Sequence, residues 1–108
     1  MIYNKLVRNN IPRIVLGGGN QSVLMRKCQP DEIIPYLIKK LHEETKEFTE
    51  NVSVEELADI YEVIYALANE LGGINLLNDT RKKKVEERGS FSEHIILIET
   101  TDLNKGEN

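Results

Sequence analysis

Apolar positions recur at helical intervals through much of the chain. From Asp31 to about Glu50, Ile34, Leu37, Ile38, Leu41 and Phe48 follow spacings of three, four and seven, which predicts a helix with one apolar stripe. Pro35 falls in its first turn, where a missing N–H costs little. Asn51-Val52 breaks the pattern. Ser53, with Glu56 three residues on, is a capping-box signature that opens a second helix of about 54–71. Leu57, Ala58, Ile60, Tyr61, Val63, Ile64, Leu67, Ala68 and Leu71 cover most of its circumference, so burial on several sides is expected. Gly72-Gly73 ends it. Asn75 is the expected cap of a third helix over 76–88, stopped by Gly89.

The ends carry less pattern. Asn10-Ile11-Pro12 predicts a brief helix running through Ile14 and Leu16 to Gly17-Gly18-Gly19. Ser22 to Arg26 reads as a short strand or extended arm, and the β-branched run Ile95 to Ile98 is expected to pair with an N-terminal strand. The expected fold is all-α: one domain over 1–99, built as an antiparallel helix hairpin plus a third helix, with short terminal strands. Residues 100–108 are expected to be a frayed polar tail. A hairpin this apolar is expected to be completed as a four-helix bundle by dimerisation, or within a higher homo-oligomer.

Composition narrows the function. A net charge of −4 over 108 residues argues against a nucleic-acid polymer as partner. The single cysteine, Cys28, excludes an internal disulfide and a cysteine-based zinc site. No signal peptide or membrane-length apolar run is evident, so a cytoplasmic protein with no membrane partner is expected. His42 and His94 lack a Glu three residues before them, which disfavours a di-iron bundle.

The chemistry lies in the acids. Glu43-Glu44-Thr45-Lys46-Glu47 and Glu56-Leu57-Ala58-Asp59 place five carboxylates on two adjoining helices. With Leu41 at zero, Glu44 falls at about −60°, Glu47 at about −120° and Glu43 at about −160°, so the three run around one flank from the stripe's edge. With Leu57 at zero, Glu56 sits near −100° and Asp59 near −160°. An antiparallel hairpin brings these flanks together, and clustered carboxylates repel unless cations neutralise them. Mg²⁺, which prefers oxygen ligands, suits such a group. The plainer reading makes them solvated residues paired with Lys39, Lys40 and Lys46, with Glu56 as the capping-box acid and Asp59 favouring the helix's positive end. On the third helix Arg81, Lys84 and Arg88 lie within roughly 40° of Leu77, a cationic stripe suited to an oligophosphate, though also to a solvated face.

Glu-Glu-x-x-Glu followed by Glu-x-x-Asp resembles the hallmark of the all-α nucleoside triphosphate pyrophosphohydrolase superfamily, which includes MazG-like proteins and phosphoribosyl-ATP pyrophosphohydrolase. The opening Tyr3-Asn4-Lys5-Leu6-Val7-Arg8 and the late run Arg81 to Phe91 resemble its compact phosphoribosyl-ATP pyrophosphohydrolase-like branch. The likeness covers about 1–99. It implies Mg²⁺-dependent, or Mn²⁺-dependent, cleavage of a nucleoside triphosphate between the α and β phosphates, releasing pyrophosphate in a nucleotide house-cleaning role. Glu44, Glu47, Glu56 and Asp59 would bind the metal. Glu43 would bind metal or orient water, and with Glu44 and Glu47 would form the catalytic set. Lys5, Arg8, Arg81, Lys84 and Arg88 would face the phosphates. Asn9 and Asn10 depart from the pattern, standing where an acidic residue and a Lys are expected. The alternatives are the phosphoribosyl-ATP pyrophosphohydrolase of histidine biosynthesis and a non-catalytic module that binds a nucleotide or a partner helix.

Overall fold

A computed structural model describes residues 1–103. Its elements are α1 (Ile11–Gly17), a 3₁₀ turn (Pro30–Glu32), α2 (Ile33–Glu50), α3 (Val54–Glu70) and α4 (Ile74–Arg88). Among the described residues the protein is helical with no strand, and no helix is long and apolar enough to cross a membrane. The tail expected over 100–108 falls mostly outside the described residues.

α2 and α3, joined by the short turn 51–53, form the antiparallel hairpin at the centre of the molecule. Across the 3₁₀ turn Glu32 Oε1 accepts the Gln29 N–H at 2.9 Å and the Glu32 N–H donates to the Gln29 carbonyl at 2.9 Å, and the Arg26 guanidinium grips both Glu32 oxygens at 2.8 and 2.9 Å. At the hairpin's turn Ser53 Oγ accepts the Glu56 N–H at 3.2 Å, satisfying a free donor of α3's first turn. Glu56 completes no reciprocal bond, and its carboxylate turns inward instead. Leu37, Val63 and Ala68 form the small buried core, with Glu44 buried alongside them.

Several expectations are corrected. α4 is entered through Gly73, not Asn75: Gly72 (φ 119°) and Gly73 (φ 104°) make a sharp reversal in backbone space that side chains rarely occupy, so the helix starts at Ile74 with no side-chain cap. The terminal strands do not form. Ser22 to Arg26 is irregular, and Ile95 to Ile98 is 78–91% exposed with no ladder partner. β-branched residues favour strands by packing on a half-buried sheet face, and no such face is on offer. α3 is not buried on several sides within one chain either. Its far side leaves Leu57 51%, Tyr61 58% and Leu71 67% exposed. α4 packs on α3 but not on α2 and buries none of its own residues.

Candidate metal centre

The hairpin aligns three carboxylates across its interface. One oxygen each from Glu44 of α2 and Glu56 and Asp59 of α3 lie within 4.8 Å of one another. Glu44 sits one turn after Lys40 on the buried side of α2, while Glu56 and Asp59 share a flank three residues apart at the start of α3. Glu44 is 7% exposed. Its Oε1 lies 3.3 Å from Lys40 Nζ, but its Oε2 and Glu56 Oε2 are buried with no hydrogen-bond partner among the described residues.

A buried carboxylate oxygen without a donor is costly, because the water it gave up is not replaced. Burial therefore pushes the Glu44 carboxyl above its ordinary range, and neighbouring Glu47 pushes the same way; Lys40 opposes both. Among the described residues two cations touch the triad, Lys40 on Glu44 and Arg8 on Asp59, and Glu56 meets none. Three converging oxygens, two orphaned acceptors and incomplete neutralisation suit a hard divalent cation that takes oxygen ligands. The residues fit Mg²⁺ or Mn²⁺.

The other predicted residues divide. Glu43 stands beside the triad and is bridged by Lys5 Nζ at 2.9 Å and Lys40 Nζ at 3.4 Å. Chiefly through that Lys5 bond its carboxyl is held below the usual range, and Lys5 is raised in turn. Arg8 reaches Asp59 Oδ1 at 2.7 Å, so both N-terminal cations converge on the acidic flank. Glu47 is exposed and outside the triad, though near enough to influence Glu44. Arg81, Lys84 and Arg88 are exposed on α4 and line no part of the site.

Beside the triad opens a cleft of about 550 Å³ between the N-terminal segment with α1 and the faces of α2 and α3. Sequence reasoning missed it. Asn9 and Asn10 line it, as does Glu62, whose place three residues after Asp59 was the available signal. No family model, curated protein or solved structure matches this chain.

Proposed function

We propose that the protein is a Mg²⁺-dependent nucleotide pyrophosphohydrolase of the MazG-like kind, cleaving a nucleoside triphosphate between its α and β phosphates. The observation that carries this reading is the triad of buried Glu44 with half-buried Glu56 and Asp59, in which one oxygen each of Glu44 and Glu56 is buried without a donor among the described residues. Such a group is costly without a cation and well suited to one. When bound, the metal would polarise a phosphoryl group and lower the pKa of an attacking water.

The chain's own residues supply the rest. Glu44, Glu56 and Asp59 would hold the cation, with Glu47 joining from the exposed end of α2. Glu43, whose carboxyl is held below its ordinary range by Lys5 and Lys40, would orient a water or accept its proton. Arg8, now on Asp59, would turn to the phosphates once a cation takes that carboxylate; Lys5 stands beside it as a second positive charge.

The reading includes a homodimer. The chain exposes 10,068 Å² of surface, whereas a compact monomer of 12.4 kDa would expose about 6,100 Å². Extended terminal segments carry part of the excess. The open side of α3, with Leu57 and Tyr61, carries another part, and pairing two hairpins there would make the four-helix bundle. The α4 cations join the account only through a second copy, whose α4 would bring Arg81, Lys84 and Arg88 to the phosphates. A cytoplasmic setting accords with a nucleotide substrate.

The ion pairs of Arg8 with Asp59 and of Lys5 with Glu43 favour a second reading, a non-catalytic nucleotide-binding module whose acids are partly neutralised by its own cations. Pyrophosphate release decides between them. The test set is canonical and modified nucleoside triphosphates plus phosphoribosyl-ATP, with Mg²⁺, Mn²⁺ or chelator. Chelator-sensitive release that is lost in folded Asp59→Asn supports hydrolysis, and the best substrate separates house-cleaning from the histidine pathway. Folded protein that releases none refutes it.

A further inference from the structure

The cleft beside the triad is lined by both carboxylates and apolar side chains. Asp59, Val63 and Ala66 follow at intervals of four and three on one face of α3, so Asp59 and Ala66 stand about 10 Å apart along the helix. The carboxylates of Glu44 and Asp59 line the cleft. Ala66 lies two turns along α3 from Asp59, and apolar Ile14 of α1, Leu37 and Val63 also line the cleft. Asn9 and Asn10 also line the cleft. Neither carboxamide has a hydrogen-bond partner among the described residues, and Asn10 precedes α1 without its side chain capping it.

We propose that this cleft receives the base and sugar of the nucleotide, and that Asn9 and Asn10 read the edge of the base; the proposal rests on the pyrophosphohydrolase reading above. Three observations carry it. A volume of about 550 Å³ falls within the roughly 300–1,000 Å³ of small-ligand sites, which combine apolar walls with a few placed polar groups. A carboxamide offers two donors and one acceptor, the combination that pairs with the adjacent donor and acceptor on a base edge. The lining also includes two of the triad's carboxylates, so a nucleoside seated here leads its phosphates to the cation site. The ligand class is a nucleotide, in preference to inorganic polyphosphate.

The test is kinetic, with a second readout that needs no turnover. The double variant Asn9→Ala, Asn10→Ala and the single variant Ala66→Leu are compared with wild type on four canonical nucleoside triphosphates and on tripolyphosphate. Both Asn residues are exposed and neither side chain holds a hydrogen bond among the described residues, so truncation leaves the backbone bond from Ile14 N–H to the Asn10 carbonyl intact and the double variant keeps the fold even if Ala66→Leu does not. Wild type is expected to favour nucleotides over tripolyphosphate and to distinguish bases. The Asn variant is expected to shrink the best-to-worst ratio of kcat/KM at least tenfold. Ala66→Leu, which fills the apolar wall, is expected to raise KM for every nucleotide at least tenfold, with its Mn²⁺ Kd by calorimetry within twofold of wild type. A wild type that hydrolyses nucleotides with no base preference overturns the proposal and leaves the pyrophosphohydrolase reading standing. So does a preference that the Asn variant leaves untouched. A wild type that neither binds nor hydrolyses any nucleotide overturns both.

Discussion

Replacing Glu44 with Gln should make the metal-free protein more stable while removing its response to metal. Glu44 is 7% exposed, and one of its oxygens has no donor. An unsatisfied buried polar group costs about 1–3 kcal/mol, and more when charged. What the substitution gives up is the charge on the contact with Lys40, and Lys40 keeps the Glu43 carboxylate at 3.4 Å, so no cation is left unpaired. Gln keeps the volume and puts an N–H donor among the remaining carboxylates. The balance favours the variant by about 1–2 kcal/mol in chelator, a rise in Tm of roughly 4–16 °C for a domain of this size. Divalent cation reverses the order. At a hundred times its Kd a cation bound only to the native state adds about 2.7 kcal/mol, which raises the wild-type Tm by roughly 10–20 °C and leaves Glu44→Gln nearly unmoved. The pH dependence has a definite sign. The folded pKa of Glu44 is raised, so its burial penalty is full above that value and is relieved as pH falls towards the ordinary 4.5; the variant's advantage in chelator therefore shrinks on acidification. Thermal melts in chelator and in Mn²⁺, from pH 4 to 8, measure all of this. A Glu44→Gln protein destabilised by several kcal/mol in chelator would show that the carboxylate is structural and refute the reasoning.

Arg8→Gln removes the cation that competes for Asp59, an exposed pair worth up to about 1 kcal/mol, so calorimetry should find Mn²⁺ bound up to roughly fivefold more tightly while nucleotide affinity falls. Ser53→Ala should lower the stability of α3 by about 1 kcal/mol and Tm by about 4–8 °C in a thermal melt. Because Lys5 depresses Glu43, their pair stabilises the fold above the ordinary carboxylate pKa of 4.5, and that contribution is lost as pH falls through the depressed value. Denaturant titrations across that window should show a smaller acid-side loss in Lys5→Met. Tyr61→Asp, placing a charge on the open face of α3, should turn a dimer into a monomer by light scattering; a wild type monomeric at tens of micromolar would remove the dimer from the account.

The helices were legible because the information is local. The recurrence of Ile34, Leu37 and Leu41, and Ser53 three residues before Glu56, are effects within one or two turns. Angles around each helix were enough to put Glu44, Glu56 and Asp59 on facing flanks. They do not fix how two helices stagger, which is why the structure groups three of the expected ligands and leaves Glu47 outside. Nor do they say where a helix goes. Arg81, Lys84 and Arg88 do form a stripe on α4, but the reversal at Gly72-Gly73 sends that helix away from the cleft. Contacts between distant segments left no periodic trace. Lys5 with Glu43 and Arg8 with Asp59 span 38 and 51 residues, and the cleft with its two Asn residues arises only when that segment folds over α2 and α3. Ile95 to Ile98 misled for the opposite reason: its strand propensity depends on a partner that the single chain does not supply.

The central claim is that Glu44, Glu56 and Asp59 form a metal centre, and direct Mn²⁺ titration followed by electron paramagnetic resonance tests it without any substrate. Wild type should quench the free-ion signal to a saturable one or two ions per chain, Mg²⁺ should compete, and folded Glu56→Gln and Asp59→Asn should leave the ion free. Undiminished free Mn²⁺ in the presence of folded wild type, or binding that both variants retain, would contradict it.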